Sequence, residues 1–489
     1  MILAIDQGTT GSTCIVFDDG GRIAGRAYSE FEQHFPRPGW VEHDANEIWD
    51  VTLRVAHEAL DDAGADASGL SGIGITNQRE TVVAWDRKTG EPLHRALVWQ
   101  DRRTAARCDE LRQAGHEDKF RERTGLVLDP YFSGTKMEWL VREGGVDPGA
   151  AFGTIDSWLV FKLTGRHVTD YSNASRTLLF DIRERAWDPE LCELLSIDPD
   201  SLPEALPSAH VFGETSELGG SVPVAGIAGD QQAALYGQAC HEPGTGKNTY
   251  GTGSFLLQNA GTEPPPVAKG VLNSVAWGVA DRVDYCVEAS VFVTGAAVQW
   301  LRDGLGVIEQ ASDTEELAGS LDGNDGVYFV PALTGLGSPH WDPYARGTIV
   351  GLTRGNGRAH LARAALEAIA YQSVDAVRAI EDTTREPLEE LKADGGASAN
   401  GWLMQFQADV LGIPVVIPEV AETTALGAAY LAGVATDLWD EATTREMWRE
   451  AARYEPRMSS DERDSLLADW ARAVERSRAW VRSGDADSG

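Results

Sequence analysis

The residues best suited to chemistry are a carboxylate followed by two amides. Asp230, Gln231 and Gln232 come directly after the apolar run 222–227, and the residues behind them have the pattern of a first helical turn. Ligands collect at this edge of an open α/β sheet, where strands give way to helices. On this stretch alone an N-cap is the simpler role for Asp230, because Asp is a preferred capping residue. A carboxylate that faces a ligand is the alternative.

Two glycine-threonine loops could bind an anion. Residues 7–13 separate two apolar strands near the N-terminus, and residues 251–254 separate two more about half a chain later. Small and hydroxyl residues in such loops present backbone N–H groups to an anion. Neither is a P-loop, because the pattern GxxxxGK[ST] does not occur in the sequence. Their similarity favours an internal duplication.

A donor and an acceptor follow another strand. Arg79 and Glu80 come soon after the apolar segment 72–76, and a guanidinium beside a carboxylate suits the vicinal hydroxyls of a polyol. The alternative is a surface ion pair of little energetic value. Trp99 stands at the end of a further strand, before the polar residues 100–103. It could line the same pocket or belong to the core.

A double glycine near the C-terminal end has the pattern of a nucleotide site. The strand 391–393 leads into Gly395 and Gly396, and a helix follows. Helix N-termini bind phosphates through their free N–H groups. Glycine turns precede many helices, so this pattern gains weight only beside the other motifs.

The elements that position these segments divide into two domains. A chain of 489 residues exceeds one ordinary core. Its composition turns to that of a loop at 241–246, so we predict domains over 1–242 and 243–489. Apolar periodicity predicts helices over 45–63 and 359–377.

Three further expectations concern connecting segments. Residues 196–223 are rich in Pro, Ser and Gly and have the composition of a loop. Lys136 falls in the first turn of a helix, and its simplest role is that of a first-turn charge. The tail 477–489 is expected to fray in part.

Composition and charge exclude several classes of protein. The net charge is −34, so nucleic acids and anionic membranes are poor partners for the surface. No apolar run approaches the ~20 residues of a membrane span, and the N-terminus lacks the features of a signal peptide. Five scattered cysteines without a CxxC pattern indicate buried thiols in a reducing cytoplasm. An acidic, lysine-poor surface is typical of a halophile, because high salt screens its self-repulsion.

Taken together, the motifs resemble the FGGY carbohydrate-kinase family, and within it the glycerol kinases. The resemblance extends over about residues 1–435, and the combined set is far more specific than any one motif. The segments that carry it are 6–10, 77–80, 98–103, 131–136, 229–232, 250–253, 335–337, 341–343 and 394–397.

The resemblance implies an α/β fold of two actin-like (ribonuclease H-like) domains around a nucleotide cleft. It implies ATP-dependent phosphorylation of glycerol to sn-glycerol 3-phosphate, the first step of glycerol catabolism, with ATP and Mg²⁺ as cofactors. It also implies a homodimer or homotetramer.

The resemblance further implies roles for individual residues. Asp230 would be the catalytic base, and Asp6 and Asp230 would hold Mg²⁺ through water. The residues implied to bind glycerol are Arg79, Glu80, Trp99, Tyr131, Asp230, Gln231 and Phe255. Those implied to bind the nucleotide are Thr9, Thr10, Gly11, Thr252, Gly295, Gln299, Gly396, Ala397 and Asn400.

Two departures from the family pattern stand out. Thr13 occupies a position beside the first phosphate loop where the family commonly has Arg, so a cation near the transferring phosphate is missing or comes from elsewhere. The short segment 212–220 lacks the longer glycine and basic loop that takes a sugar bisphosphate in some members. We therefore expect no feedback by fructose 1,6-bisphosphate.

Two alternatives remain open at this point. The chain could be another FGGY kinase that acts on a pentulose, gluconate or erythritol, although Arg79, Glu80 and Trp99 favour glycerol. It could instead be a nucleotide-switched binding or chaperone protein on the actin-like fold. Such a protein would turn over ATP without a polyol.

Overall fold

The computed structural model describes residues 1–481, so the expected fraying of the tail 477–489 lies largely outside the described residues. The strands of the first half are β1 Ile2–Gln7, β2 Gly11–Phe17, β3 Ile23–Glu30, β4 Glu42–His43, β5 Gly72–Asn77, β6 Val82–Trp85, β7 Ala96–Leu97, β8 Ala151–Thr154, β9 Val168–Asp170, β10 Phe180–Asp181, β11 Ala186–Trp187, β12 Glu204–Leu206, β13 Ala209–Thr215 and β14 Val222–Gly229. Its helices are α1 Ala45–Ala63, α2 Ala105–Gln113, α3 Glu117–Thr124, α4 Ser133–Arg142, α5 Ile155–Thr164, α6 Tyr171–Ala174, α7 Pro189–Leu194 and α8 Asp230–Gly237.

The second half repeats the alternation of strands and helices. Its strands are β15 Gly246–Tyr250, β16 Ser254–Gly261, β17 Leu272–Val279, β18 Arg282–Val291, β19 Tyr328–Val330, β20 Thr348–Val350, β21 Leu391–Asp394, β22 Val415–Pro418 and β23 Glu450–Tyr454. Its helices are α9 Gly295–Gln299, α10 Asp313–Gly319, α11 Arg358–Thr384, α12 Gly401–Leu411, α13 Thr423–Ala435, α14 Glu441–Met447 and α15 Ser460–Ser477, with a π-helical turn over Trp300–Gly304 after α9.

Within residues 1–481, 13 of the strands, drawn from both halves, join in one mixed sheet, and the others form smaller sheets. Strand β1 pairs antiparallel with β2 and parallel with β5, and β15 pairs antiparallel with β16 and parallel with β21. The two glycine-threonine hairpins therefore occupy equivalent places, as the suggested duplication requires. The halves meet where β13 lies beside β17, through the pair Ala209 and Val279.

The helix predicted over 45–63 is confirmed as α1, with both bounds correct. The Asp44 carboxylate accepts hydrogen bonds from the backbone N–H groups of Asn46 and Glu47, and Gly64 ends the helix in the left-handed region. The helix predicted over 359–377 is confirmed within the longer α11.

The loop predicted over 196–223 is wrong in part, because β12 and β13 lie within it. Within β13, Phe212 and Thr215 are buried while most other side chains are partly or fully exposed. The strand thus lacks a regular apolar alternation that the sequence could have revealed. Lys136 lies early in α4, but its side chain is buried and donates to the carbonyl oxygens of Pro130, Tyr131 and Phe132. Lys136 does lie in the first turn, but it is more than a first-turn charge, because its ammonium holds the loop before the helix.

Helix α13 comes late in the sequence but packs against β1, β5 and β14 of the first half. The contact is very close: a Cβ atom on Gly74 would lie 2.2 Å from the carbonyl oxygen of Ala428. The same helix crosses α8, where a Cβ atom on Gly427 would lie 1.8 Å from the carbonyl oxygen of Ala233. The position of α8, which begins at Asp230, therefore depends on α13.

None of the helices within residues 1–481 combines the length and the apolarity that crossing a bilayer requires.

We expect Gly427→Ala to destabilise the fold by about 1–3 kcal/mol, because the added methyl group must push α8 and α13 apart. Urea unfolding measures this loss. Gly323→Ala is the matched control, since a Cβ atom there meets nothing within 4 Å. Equal unfolding midpoints for Gly427→Ala and the wild type would contradict the close helix contact.

Candidate active site

Three parallel strands bring the predicted site residues to one edge of the sheet. Strand β5 lies between β1 and β14, and Asn77 at its end is level with Gln7 and Gly229. The residues that follow the strands therefore meet at their carboxyl ends. This places Asp6, Arg79 and Asp230 around one cleft, as the sequence predicts.

The Arg79 guanidinium is buried and surrounded by oxygen atoms. Its Nη1 lies 2.6 Å from Glu288 Oε2 and its Nη2 lies 3.2 Å from Glu288 Oε1, a bidentate pair. Its Nε lies 3.2 Å from Asp230 Oδ1, and Nη2 also donates to the Tyr131 hydroxyl at 3.4 Å. The alternative of a surface ion pair between Arg79 and Glu80 is wrong, because both side chains are buried.

Glu80 is held by a second buried arginine. Its Oε1 accepts a hydrogen bond of 2.7 Å from Nε of Arg176, whose Nη2 reaches Glu288 at 3.1 Å. Glu80 adopts φ of 62°, a left-handed conformation that costs free energy in a residue other than glycine. The Ser133 hydroxyl donates to its carbonyl oxygen at 3.0 Å and helps to hold this backbone.

The protonation states within this cluster differ between neighbouring carboxylates. Burial alone would raise the pKa of Glu288, but Arg176 and Arg79 outweigh burial and lower it to about 2. Burial raises the pKa of Asp230, with Arg79 opposing. Burial and the charge of Asp230 together raise the pKa of Asp6 to about 7. Glu288 therefore stays ionised, while Asp6 and Asp230 are carboxyl groups whose ionised forms a nearby cation would stabilise.

The Asp230 carboxylate is accessible from the cleft. Gly229 is the N-cap of α8, and Asp230 is its first residue, so the capping role is wrong. The carboxylate accepts from the backbone N–H of Gln231 at 2.7 Å, and a third of its side chain remains exposed. A base for an exogenous hydroxyl needs this combination of anchoring and access.

Aromatic side chains stand beside these polar groups. Trp99 is partly exposed, so it does not belong to the core. Its indole Nε1 donates to Thr9 Oγ1 at 2.9 Å and its ring meets Tyr131 edge-on, with centroids 5.6 Å apart. Phe255 is half-buried at the start of β16. Trp99 therefore links Tyr131 to the first glycine-threonine loop.

The second loop and the start of α9 form one unit. The Thr252 carbonyl oxygen accepts from the backbone N–H groups of Thr294 at 2.9 Å and Ala296 at 3.1 Å. A Cβ atom on Gly295 would lie 2.7 Å from the Gly251 carbonyl oxygen, so only glycine fits there. Thr252, Gly295 and the exposed Gln299 are therefore brought together, as the resemblance implies.

The double glycine packs against the same loop. Gly395 has φ of 85°, and a Cβ atom there would lie 2.5 Å from the Tyr250 carbonyl oxygen. Gly396 and Ala397 lie in the short 3₁₀ turn that follows, and Gly396 is exposed. The Asn400 side chain caps α12 by accepting from the backbone N–H of Leu403 at 2.9 Å. The double glycine thus packs against the end of β15, which leads directly into the second loop.

The first loop is open to solvent at its tip. The backbone N–H of Gly8 donates to the Gly11 carbonyl oxygen at 3.0 Å, which closes a tight turn. Thr10 is exposed, and Thr9 is partly exposed. Thr13, the departure from the family pattern, stands opposite Asp6 in the β1–β2 ladder.

The site offers carboxylate ligands for Mg²⁺ but no complete set of protein ligands. Among the described residues no group of three or more His, Cys, Asp or Glu side chains could hold a metal ion. Asp6 and Asp230 are close enough for their charges to interact. Two carboxylates fit Mg²⁺, which keeps several waters and takes its other ligands from phosphates.

Four buried residues around the cleft do not appear among the predicted site residues. Glu288 interrupts an apolar strand, and a lone acid in such a strand could have signalled a buried partner. Arg176 lies in the hydroxyl-rich segment 169–177 and gave no such signal. Lys247, beside the second loop, contacts Gln231. Gln232 accepts from Arg79 at 3.2 Å.

Sequence profiles of the FGGY family of carbohydrate kinases match most of the chain. The N-terminal domain profile covers residues 1–237 and the C-terminal domain profile covers 246–436. Among curated proteins, a glycerol kinase of Trichlorobacter lovleyi is 56% identical, over 98% of this chain and 99% of that enzyme. Glycerol kinase 2 of Thermotoga maritima is 53% identical, over 98% and 99%.

Solved structures confirm the predicted two-domain α/β kinase fold. The crystal structure of Plasmodium falciparum glycerol kinase with ADP superimposes with a TM-score of 0.92 at 34% identity, and covers 97% of this chain and 98% of that one. Gluconate kinase of Lactobacillus acidophilus superimposes with a TM-score of 0.88 at 22% identity, over 100% and 98% of the chains. At that identity the second match concerns the fold alone.

We expect Glu288→Gln to destabilise the protein by about 3–5 kcal/mol, because Arg79 and Arg176 lose their shared anion while still buried. The KM for the polyol should rise at least about tenfold, since Arg79 is no longer held. Denaturant unfolding and steady-state kinetics measure the two effects.

Asp284→Asn on the same strand is the control, because Asp284 pairs with Arg282, which is 41% exposed, and with Trp277, and neither contacts Arg79. This control should leave the KM unchanged. A Glu288→Gln enzyme with wild-type stability and KM would show that the bidentate pair does not organise the pocket.

Proposed function

The chain belongs to the FGGY family of carbohydrate kinases, and we propose that it transfers the γ-phosphoryl group of ATP to glycerol. The observation that carries the proposal is the partly exposed Asp230 carboxylate, 3.2 Å from the buried guanidinium of Arg79. The similarity to glycerol kinases over nearly the whole chain supports the choice of substrate.

The polyol pocket offers both donors and acceptors. Arg79 and Tyr131 supply donors, Glu80 and Asp230 supply acceptors, and Trp99 with Phe255 would wall the carbon backbone. Gln231 completes the set, next to Asp230. Glycerol is small and strongly hydrated, so only a site that hydrogen-bonds its hydroxyls can hold it, and such a site rejects analogues that lack one.

Asp230 acts as the base in this proposal. Its carboxylate accepts a hydrogen bond from the attacking hydroxyl, orients the oxygen toward the γ-phosphorus and takes the proton as the new P–O bond forms. Phosphoryl transfer passes through a loose transition state, so positioning and charge neutralisation account for most of the catalysis. Closure of the cleft would exclude water as a competing acceptor.

The nucleotide would bind between the two glycine-threonine loops and the double glycine. Thr9, Thr10, Gly11 and Thr252 would contact the phosphates, and Gly295, Gln299, Gly396, Ala397 and Asn400 would contact the rest of the nucleotide. When bound, Mg²⁺ would neutralise phosphate charge, with Asp6 and Asp230 holding it through water.

The two predicted domains would carry different parts of the site. Residues 1–242 would form the N-terminal kinase domain, with most of the polyol site and the first phosphate loop. Residues 243–489 would form the C-terminal domain, with the second loop and the adenine-nucleotide site.

Further details of the proposal rest on the family or on composition. The product would be sn-glycerol 3-phosphate, made in the first step of glycerol catabolism by a homodimer or homotetramer. The five cysteines, all buried and unpaired in the described chain, favour a reducing cytoplasm. The net charge of −34 favours a halophilic source and activity in concentrated salt.

We expect Asp230→Asn to lower kcat about 10²–10⁴-fold while glycerol still binds, because the amide cannot take the proton. A coupled ADP-release assay in high potassium chloride, with Mg²⁺ and ATP, measures turnover, and calorimetry measures glycerol binding. Asp461→Asn is the control, since this exposed aspartate lies in the first turn of another helix.

Three results would contradict parts of the proposal. ATP turnover that is equal without glycerol would exclude the kinase and favour a nucleotide-switched protein. Faster turnover with a pentulose, gluconate or erythritol would change only the substrate. An Asp230→Asn enzyme with full activity would exclude Asp230 as the base.

A further inference from the structure

A fully buried lysine stands behind the polyol pocket. Lys247 lies on β15, and its ammonium donates hydrogen bonds to Gln231 Oε1 at 2.5 Å, Thr249 Oγ1 at 2.8 Å and the Phe255 carbonyl oxygen at 3.4 Å. An ammonium group has three donors, so all of them are used. Two of its three partners belong to residues that are proposed to touch glycerol.

The lysine decides which way the Gln231 amide faces. Because an ammonium has no acceptor, the amide atom that faces it must be the oxygen. The NH₂ group of Gln231 therefore points away from Lys247, and within residues 1–481 it has no hydrogen-bond partner. Asp230 is its neighbour in sequence and offers an acceptor. A single hydroxyl could accept from Gln231 and donate to Asp230.

The ammonium also contributes charge to the pocket. Burial lowers the pKa of Lys247 to about 8, with Asp394 and Asp230 opposing, so the group is still cationic near neutral pH. The other charged groups that face Lys247 and Asp230 are Asp6, Arg79 and Glu288. Lys247 makes no ion pair within 4 Å among the described residues.

We propose that Lys247 is a positioning residue of the polyol site, whose ammonium orients the Gln231 amide and holds the backbone of Phe255. The inference rests on the proposed function and deepens it. Lys247 does not touch the substrate; it acts through Gln231 and through the backbone of Phe255. It thereby links the second half of the chain to Gln231 in the first.

The test compares Lys247→Met, Lys247→Gln and a matched control. Methionine removes both the charge and the donors, whereas glutamine removes the charge and keeps a donor for Gln231 Oε1. The control is Lys392→Met. Lys392 is buried beside Lys247 in the β15–β21 register, but its ammonium donates to the carbonyl oxygens of Gln238 and Ala239.

We expect Lys247→Met to weaken glycerol binding about tenfold or more in calorimetry, because the Gln231 amide is free to turn. The KM for ATP should change by less than about twofold. The KM for glycerol should rise by a similar factor, whereas kcat at saturating glycerol should fall less, because Lys247 acts on binding through Gln231.

Lys247→Gln should lose less glycerol affinity than Lys247→Met, because it keeps a donor for Gln231 Oε1, and Lys392→Met should leave the glycerol affinity unchanged. If Lys247→Met does not fold, Lys247→Gln decides by its KM for glycerol compared with its KM for ATP. An unchanged glycerol affinity in a folded variant would overturn the proposal, as would equal losses of glycerol and ATP affinity. A wild-type protein that does not bind glycerol would instead overturn the proposed function, and this inference with it.

Discussion

The Arg79 guanidinium, buried between carboxylates from both halves of the chain, is the interaction on which the pocket depends. Glu288 reaches it from β18 in two hydrogen bonds, and Asp230 and Glu80 flank it from the first half. An unpaired guanidinium at this depth would be very costly. The halves must therefore meet in the arrangement that satisfies it, and this arrangement also forms the polyol site.

A pocket built in this way is organised before the substrate arrives. Glu288 remains an anion because two guanidinium groups stabilise it, and Lys247 fixes the Gln231 amide from behind. Donors and acceptors that are already in place give up little conformational entropy on binding. For a substrate as small as glycerol, which can contribute few contacts, this saving is decisive. Asp230 is also held, by the Gln231 N–H and by Arg79, and only the part of its side chain that faces the cleft is exposed.

The sequence predicted what depends on local pattern. The hairpins, helix α1, and the strand ends at Asp6, Arg79 and Asp230 follow from apolar runs, glycines and caps. Glu288 and Arg176 were missed because their partners lie far away in sequence: the apolar strand around Glu288 indicates burial but not the partner, and nothing local marks Arg176 as buried. Strand β13 was missed because most of its side chains are at least partly exposed, and Lys136 was misjudged because its partners are backbone carbonyl oxygens.

The most direct test of the central claim is a double-mutant cycle on the glycerol dissociation constant, measured by calorimetry for the wild type, Arg79→Lys, Glu288→Gln and the double variant. If Glu288 acts on glycerol by holding Arg79, the losses of affinity in the two single variants overlap. The double variant then has about the same dissociation constant as the single variant that binds glycerol more weakly. If the two losses multiply, Arg79 and Glu288 act independently, and the buried pair does not organise the site.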